Sequence, residues 1–107
     1  LPILMETLMP KRFVVCDTDD FYITVQPVND VAHIHILVYR WAPSVLKTLY
    51  SVFNEMKVAL KNKGYVYMAT ISPNPKFAKL FGGEVIEEKV IDDVYHEVIV
   101  WGLIQSH

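Results

Sequence analysis

A strand, a helix and a second strand follow one another between residues 31 and 71, and this order most constrains the fold. Residues 31–39 alternate, with Ala32, Ile34, Ile36 and Val38 on one side and Val31, His33, His35, Leu37 and Tyr39 on the other. This period of two is typical of a strand. From residue 43 to residue 60, apolar residues recur at spacings of three and four, which predicts an amphipathic helix. Residues 65–71 form an apolar run, as expected of a central strand buried on both faces. A helix that crosses between two strands of one sheet makes those strands parallel.

Shorter patterns on either side of this unit complete the predicted order. Residues 12–16 and 21–26 are β-branched and aromatic runs separated by a polar turn, and residues 85–90 and 95–101 flank a turn at Asp92 and Asp93. Asn74 and Pro75 are typical of a helix start, with Asn74 as the cap, and Gly82 ends that short helix. The order is β-β-β-α-β-α-β-β, an α+β fold with a mixed sheet. Because no repeat or linker divides the chain, we expect residues 1–107 to form a single domain.

Composition and charge exclude several classes of protein. The chain is 52% hydrophobic and 21% charged, which suits a folded domain. Ten basic and twelve acidic residues give a net charge of −2, so no positive field attracts nucleic acid or an anionic membrane. Cys16 is the one cysteine, which rules out an intrachain disulfide. Apolar stretches are interrupted well before the ~20 residues that a membrane span needs. We therefore expect a soluble protein of the cytoplasm or of a virion.

The order of elements, together with the segment from Asn74 to Phe81 (NPKFAKLF) and the glycine that follows it, resembles the second half of the GCN5-related N-acetyltransferase (GNAT) fold. The resemblance covers residues 12–101 and implies an acyl-CoA N-acyltransferase-like sheet in which strands 31–39 and 65–71 splay apart. Acetyl-CoA would lie in the opening, in contact with the backbone amides of Val38, Arg40 and Trp41 and with Asn74 as a hydrogen-bond donor. Since the family fold contains further elements before this part, residues 1–11 are expected to be the remnant of an N-terminal helical part.

Within that family, residues 81–88 (FGGEVIEE) and the acidic turn that follows look most like small acetyltransferase-like proteins of tailed phages. Some of those proteins are virion-associated. The resemblance therefore implies a phage protein, with a protein partner or self-association rather than nucleic acid or membrane. We expect the edge strands and the aromatic-rich ends, including Tyr95 and Trp101, to pair with another chain.

The chain departs from the family at two places that bear on activity. Functional members carry a glycine-rich loop before the long helix, because glycine lets the backbone amides approach the pyrophosphate. Here residues 39–44 (YRWAPS) contain no glycine, Pro43 has no N–H, and Trp41 must turn outward to leave room. Phe81 stands where many members place the tyrosine that protonates the CoA thiolate. We expect a degraded acetyl-CoA site in a binding or structural protein; the alternative is an active N-acetyltransferase that moves an acetyl group to an amine.

His33 and His35 stand two residues apart and therefore share one face of their strand. If the acetyltransferase-like fold is present, that face borders the substrate cleft, and either histidine could act as the general base on an amine. A zinc site would need a third ligand, for which His96 is the candidate, so ordinary hydrogen-bonded histidines are the simpler interpretation and no metal is predicted.

Overall fold

The elements occur in the order that the sequence predicts. A computed structural model describes residues 11–103, so the predicted helical remnant at residues 1–11 lies outside the described part except for Lys11, which precedes the first strand. The strands are β1 (Phe13–Asp17), β2 (Phe21–Val28), β3 (Val31–Val38), β4 (Tyr67–Ser72), β5 (Glu84–Ile91) and β6 (Val94–Gly102), and the helices are α1 (Pro43–Asn62) and α2 (Phe77–Phe81). The α+β class and the order β-β-β-α-β-α-β-β are confirmed. Neither helix in residues 11–103 is long and apolar enough to cross a membrane.

The strands form one mixed sheet in the order β1-β2-β3-β4-β6-β5. β3 and β4 are parallel, as predicted, and the other neighbouring strands are antiparallel. β4 lies inside the sheet, but the expectation that both of its faces are buried is wrong, because Tyr67 and Ile71 are 48% and 49% exposed. The alternate residue Met68 is fully buried in the core with α1 and α2. We call the face that carries the two helices the covered face, and the face that carries Ile71, His33 and His35 the open face.

Two tight turns fix the register of the hairpins. Asn29 has φ 55°, and Asp92 and Asp93 have φ 50° and 64°. Asparagine and aspartate tolerate this left-handed region, and in the second turn the positive φ of both central residues suits the right-handed twist of a two-residue hairpin. Because Val28 pairs with Val31 across the first turn, Gln26 lies opposite His33 and Thr24 opposite His35.

Helix α1 forms as its pattern predicts. Pro43 occupies the first turn, Ala42 is the cap without a side-chain hydrogen bond, and Gly64 with φ 95° follows the helix end. The buried positions are spaced by three or four residues and make one stripe against the sheet: Val45, Leu49, Phe53, Met56 and Leu60.

Helix α2 is shorter than the sequence suggests. The predicted start at Asn74 is wrong, because the helix spans Phe77–Phe81 and Lys76 is its cap. The side-chain oxygen of Asn74 instead accepts the N–H of Lys76 at 2.9 Å, which makes a separate turn before the helix. Gly82, with φ 75°, ends the helix as predicted.

Candidate functional site

The parallel strands β3 and β4 separate partway along their length. They pair at three positions, from Val31 opposite Tyr67 to His33 opposite Ala69, and both strands then continue without further pairing. Beyond the last pair, the Thr70 hydroxyl donates to the Ile34 carbonyl at 2.7 Å. Since alternate residues of a strand direct their backbone groups to the same side, those of Val38 face the same opening as Ile34. The opening is therefore present, and the predicted contact residue Val38 borders it.

The loop between β3 and α1 is tied to the turn between β1 and β2. The backbone N–H groups of Tyr39 and Arg40 donate to the Asp20 carbonyl at 2.8 and 3.4 Å. The Arg40 Nε–H also donates to the Asp20 carboxylate at 2.9 Å. This hydrogen bond, and the negative charge of Asp20, raise the pKa of the Arg40 guanidinium. Both the amide and the side chain of Arg40, a predicted cofactor contact, are thus bound to Asp20.

The other donors at the start of α1 are few. The side chain of Trp41, a predicted cofactor contact, is 49% exposed. Within residues 11–103, the backbone N–H groups of Trp41, Ser44 and Val45 have no hydrogen-bond acceptor, whereas Pro43 contributes no N–H. The amide group of Asn74, the predicted donor, lies after β4; its side-chain oxygen is already engaged by Lys76.

Phe81 belongs to the core of the covered face. It is 5% exposed, and its ring lies 4.6 Å from Phe77 and 5.0 Å from Phe53, measured between centroids. Its carbonyl accepts the indole N–H of Trp101 at 2.9 Å. A hydrocarbon side chain at this position has no proton to give to a leaving group.

The histidines predicted as bases line a cavity of about 520 Å³ on the open face. The Nε2–H of His35 donates to Oε1 of Gln26 at 3.1 Å, because an amide oxygen only accepts. In the neutral ring this leaves Nδ1 as the atom that can take a proton. Partial burial, followed by the positive charges of Arg12 and His33, lowers the pKa of His35 below its usual value of 6.5.

The third ligand of the hypothetical zinc site lies elsewhere. His96, on β6, is outside the residues that line the cavity, and its Nδ1–H donates to the Val94 carbonyl at 2.8 Å. The described residues contain no group of three or more histidine, cysteine, aspartate or glutamate side chains able to hold a metal ion.

Sequence reasoning did not place the other polar residues of the same cavity, among them Arg12, Thr24, Glu87 and Lys89. Thr24 is 1% exposed, and its hydroxyl oxygen has no hydrogen-bond partner among the described residues. The alternation within each strand could have placed Arg12 and Thr24 on the face of His33 and His35, once the register of β1, β2 and β3 was known. The placement of Glu87 and Lys89 in this cavity depends on a bulge in β5, which the sequence does not reveal.

Of the two aromatic residues predicted to pair with another chain, only Tyr95 is accessible. Trp101 is only 5% exposed, so the prediction is wrong for this residue. Its strand, β6, lies between β4 and β5 and not at the edge of the sheet. Tyr95 is 40% exposed and donates its hydroxyl to Glu97 at 3.0 Å. Partial burial, and then hydrogen bonds to Glu97 and Glu88, raise the pKa of Tyr95 to about 12.

Comparison with known proteins identifies the fold. No family model matches the sequence, and no curated protein matches it. Among solved structures, aminoglycoside 6'-acetyltransferase type Ii superimposes with a TM-score of 0.70 at 10% identity, over 99% of this chain and 78% of the other. The ribosomal-protein-S5-alanine acetyltransferase of Vibrio fischeri gives a TM-score of 0.55 at 12% identity, over 78% of this chain and 54% of the other.

A third structure, of a protein from Agrobacterium tumefaciens, gives a TM-score of 0.60 at 8% identity, over 92% of this chain and 84% of the other. The mixed sheet and its two helices thus have the GNAT, or acyl-CoA N-acyltransferase-like, fold that the resemblance implied. At these identities the likeness concerns the fold alone, and activity has to be argued from the residues.

Proposed function

We propose that this chain is an acetyltransferase-fold domain whose acetyl-CoA site is degraded, and that it acts by binding a ligand or a partner rather than by catalysis. The observation that carries this proposal is the loop before α1. A pyrophosphate needs several converging N–H donors that approach closely. In this loop Arg40 donates its amide to the Asp20 carbonyl, Pro43 has no N–H, and no glycine brings the backbone close.

The charges of this loop also disfavour the binding of a pyrophosphate. The one guanidinium of the loop, that of Arg40, is bound to the carboxylate of Asp20 at 2.9 Å. The pair contributes no net charge toward a diphosphate, and the Asp20 carboxylate repels an anion that approaches the same loop. The backbone amides of Ser44 and Val45 at the helix start favour an anion. The one guanidinium of this loop, however, is already paired with a carboxylate and adds no free positive charge to them.

The alternative, an active acetyltransferase, keeps one part of the machinery. His33 or His35 remains a candidate base, with Nδ1 of His35 as its acceptor atom. The group that would protonate the departing thiolate is absent at Phe81, which is buried among other rings. General acid–base catalysis of this kind contributes about 10²–10⁴-fold to a rate, so its loss argues for binding over turnover.

Isothermal titration with acetyl-CoA tests the proposal. We expect no saturable heat at millimolar acetyl-CoA and no rise in the midpoint of thermal unfolding, since a ligand that binds the folded state would raise it. An established acetyltransferase titrated in parallel verifies the ligand and the conditions. Micromolar, saturable binding by this chain would contradict the proposal and favour the enzyme.

A protein partner or self-association is the second part of the proposal. Strand β5 is an edge strand whose eight residues are all exposed, including Ile86 at 58% and Val90 at 72%. Such an edge has free backbone groups that can pair with another chain. We also propose that the protein belongs to a phage particle, and the support for this is the sequence pattern of residues 81–88 alone. Light scattering over a range of concentrations tests self-association, and a monomer at every concentration would count against it.

A further inference from the structure

The cavity on the open face has an asymmetric distribution of charge. At one end, Arg12 directly precedes the pair of Phe13 and Val25, next to Gln26 and His33, and His35 lies two residues further along β3. At the other end lie Glu87 and Lys89, whose charged atoms are 3.8 Å apart and compensate each other.

The end formed by Arg12, His33 and His35 carries the positive charge of Arg12, which lacks a counter-ion within the described part of the chain. An arginine is charged at every physiological pH. Between residues 11 and 103, no carboxylate lies within ion-pair distance of Arg12. Burial, and then the same charge of Arg12, lower the pKa of His35. This end of the cavity therefore favours an anion.

The floor between the two ends is mostly apolar. Ala69, Ile71 and Val98 line it, and Ile71 is 49% exposed although its strand is internal. Thr24, under the positive end, is fully buried with a hydroxyl that has no partner among the described residues. A ligand with an acidic group and an apolar body matches this arrangement of charge and surface.

We propose that this cavity binds a small carboxylic acid, with its carboxylate at Arg12 and His33 and its apolar body over Ile71 and Val98. The inference rests on the proposed function in one respect, that the cavity serves for binding rather than catalysis. The guanidinium of Arg12 and an imidazole N–H of His33 can donate together to the two oxygens of a carboxylate. An amine would meet positive charge at that end, and inorganic phosphate would leave the apolar floor uncovered.

A titration with three ligands of one shape tests the proposal. The chain of residues 1–107 is labelled with ¹⁵N, and amide shifts are followed on adding hexanoate, hexanamide or hexylamine, with inorganic phosphate as a further arm. We expect hexanoate to shift the amides of β2, β3 and β4 around the cavity, and to bind at least about tenfold more tightly than hexanamide, which lacks the charge. Equal or tighter binding of hexylamine or phosphate, or no saturable shifts with hexanoate, would overturn the proposal.

Two variants that each remove one positive charge locate the site. Arg12→Gln should weaken hexanoate binding about tenfold. Lys47→Gln, an exposed position on α1, changes the net charge equally and should leave the affinity unchanged. Equal effects of the two variants would mean that hexanoate responds to net charge alone and would overturn the site. Acetyl-CoA binding without hexanoate binding would refute both proposals; hexanoate binding together with acetyl-CoA binding would refute the proposed function alone.

Discussion

The two faces of the sheet are built differently although they share the same strands. On the covered face, four aromatic rings pack together, with centroids 4.6–6.4 Å apart: Phe53, Phe77, Phe81 and Trp101. On the open face, Leu37, Tyr67 and Ile71 are about half exposed, and charged side chains surround a cavity. Within residues 11–103, the covered face thus holds the packed core, whereas the open face leaves apolar side chains half exposed.

This contrast teaches that a strand's position within the sheet does not decide its burial. β4 is internal, yet Met68 is fully buried and Ile71, three residues later, is half exposed. Side chains alternate between faces, and only one face packs against α1 and α2. Substitutions that differ only in the face they affect should therefore differ strongly in their effect on stability.

The largest expected effect comes from the aromatic cluster. Phe53→Ala should lower the free energy of unfolding by about 3–5 kcal/mol, because the side chain is 1% exposed and its loss leaves a cavity next to Trp101. Leu37→Ala, on the open face at 58% exposure, should change it by less than about 0.5 kcal/mol. Urea unfolding of both variants makes the comparison. Similar losses would show that the open face is packed in solution and would break the distinction.

Glycine replacement near Trp101 should have the next largest effect. A Cβ on Gly83 would meet Cγ2 of Ile99 and lie 2.7 Å from Cε2 of the Trp101 indole, which is a rigid group. We expect Gly83→Ala to destabilise the fold by about 1–3 kcal/mol through overpacking.

Gly102→Ala is the matched control, because an added Cβ there meets nothing within 4 Å. The two variants are compared by the shift in their denaturant midpoints. If Gly83→Ala unfolds at the wild-type midpoint, the packing of Ile99 and Trp101 against Gly83 is looser in solution than these distances indicate.

The hydroxyl of Thr70 joins the separating strands. Thr70→Val retains the shape but removes the donor to the Ile34 carbonyl, so it should cost about 1–2 kcal/mol. Thr70→Ser keeps the donor and loses a methyl group, and amide exchange in β3 separates the two effects. Faster exchange near Ile34 in the valine variant alone would support the bridging role; equal exchange in both variants would contradict it.

The β-α-β unit could be predicted from the sequence, because apolar residues recur there first with the period of a strand, two residues, and then with the period of a helix, 3.6 residues. Parallel pairing of β3 and β4 follows from the crossover, and the structure has it. The predicted stripe of α1 is buried at Val45, Leu49 and Phe53, since the spacing of apolar residues directly encodes the packed side of a helix.

Features that depend on long-range pairing or on competing local bonds were not predictable. Trp101 is buried because β6, not β5, pairs with β4, and both strands of a hairpin have similar local patterns. Asn74 has the residue type of a helix cap, but its side chain closes a turn with Lys76 before α2 begins. Arg12 and Thr24 meet His35 only through the register of three strands, so the candidate site was found only in part.

The smallest expected effect concerns the pH dependence of stability at the open face. Because the folded state lowers the pKa of His35 below 6.5, the unfolded chain binds the proton more readily. The stability contributed by the neutral imidazole is therefore complete above pH 6.5 and is lost as the pH falls through 6.5 toward the folded pKa. His35→Gln should flatten this slope, measured by urea unfolding between about pH 7 and pH 5.

NMR titration of the His35 ring should show a rise in its pKa in Arg12→Gln and no change in Lys47→Gln, since the first variant removes one cause of the shift. An unchanged pKa of His35 in Arg12→Gln would mean that Arg12 does not act on the imidazole, and a pKa of 6.5 or higher in the unsubstituted chain would contradict the expected loss of stability between pH 7 and pH 5.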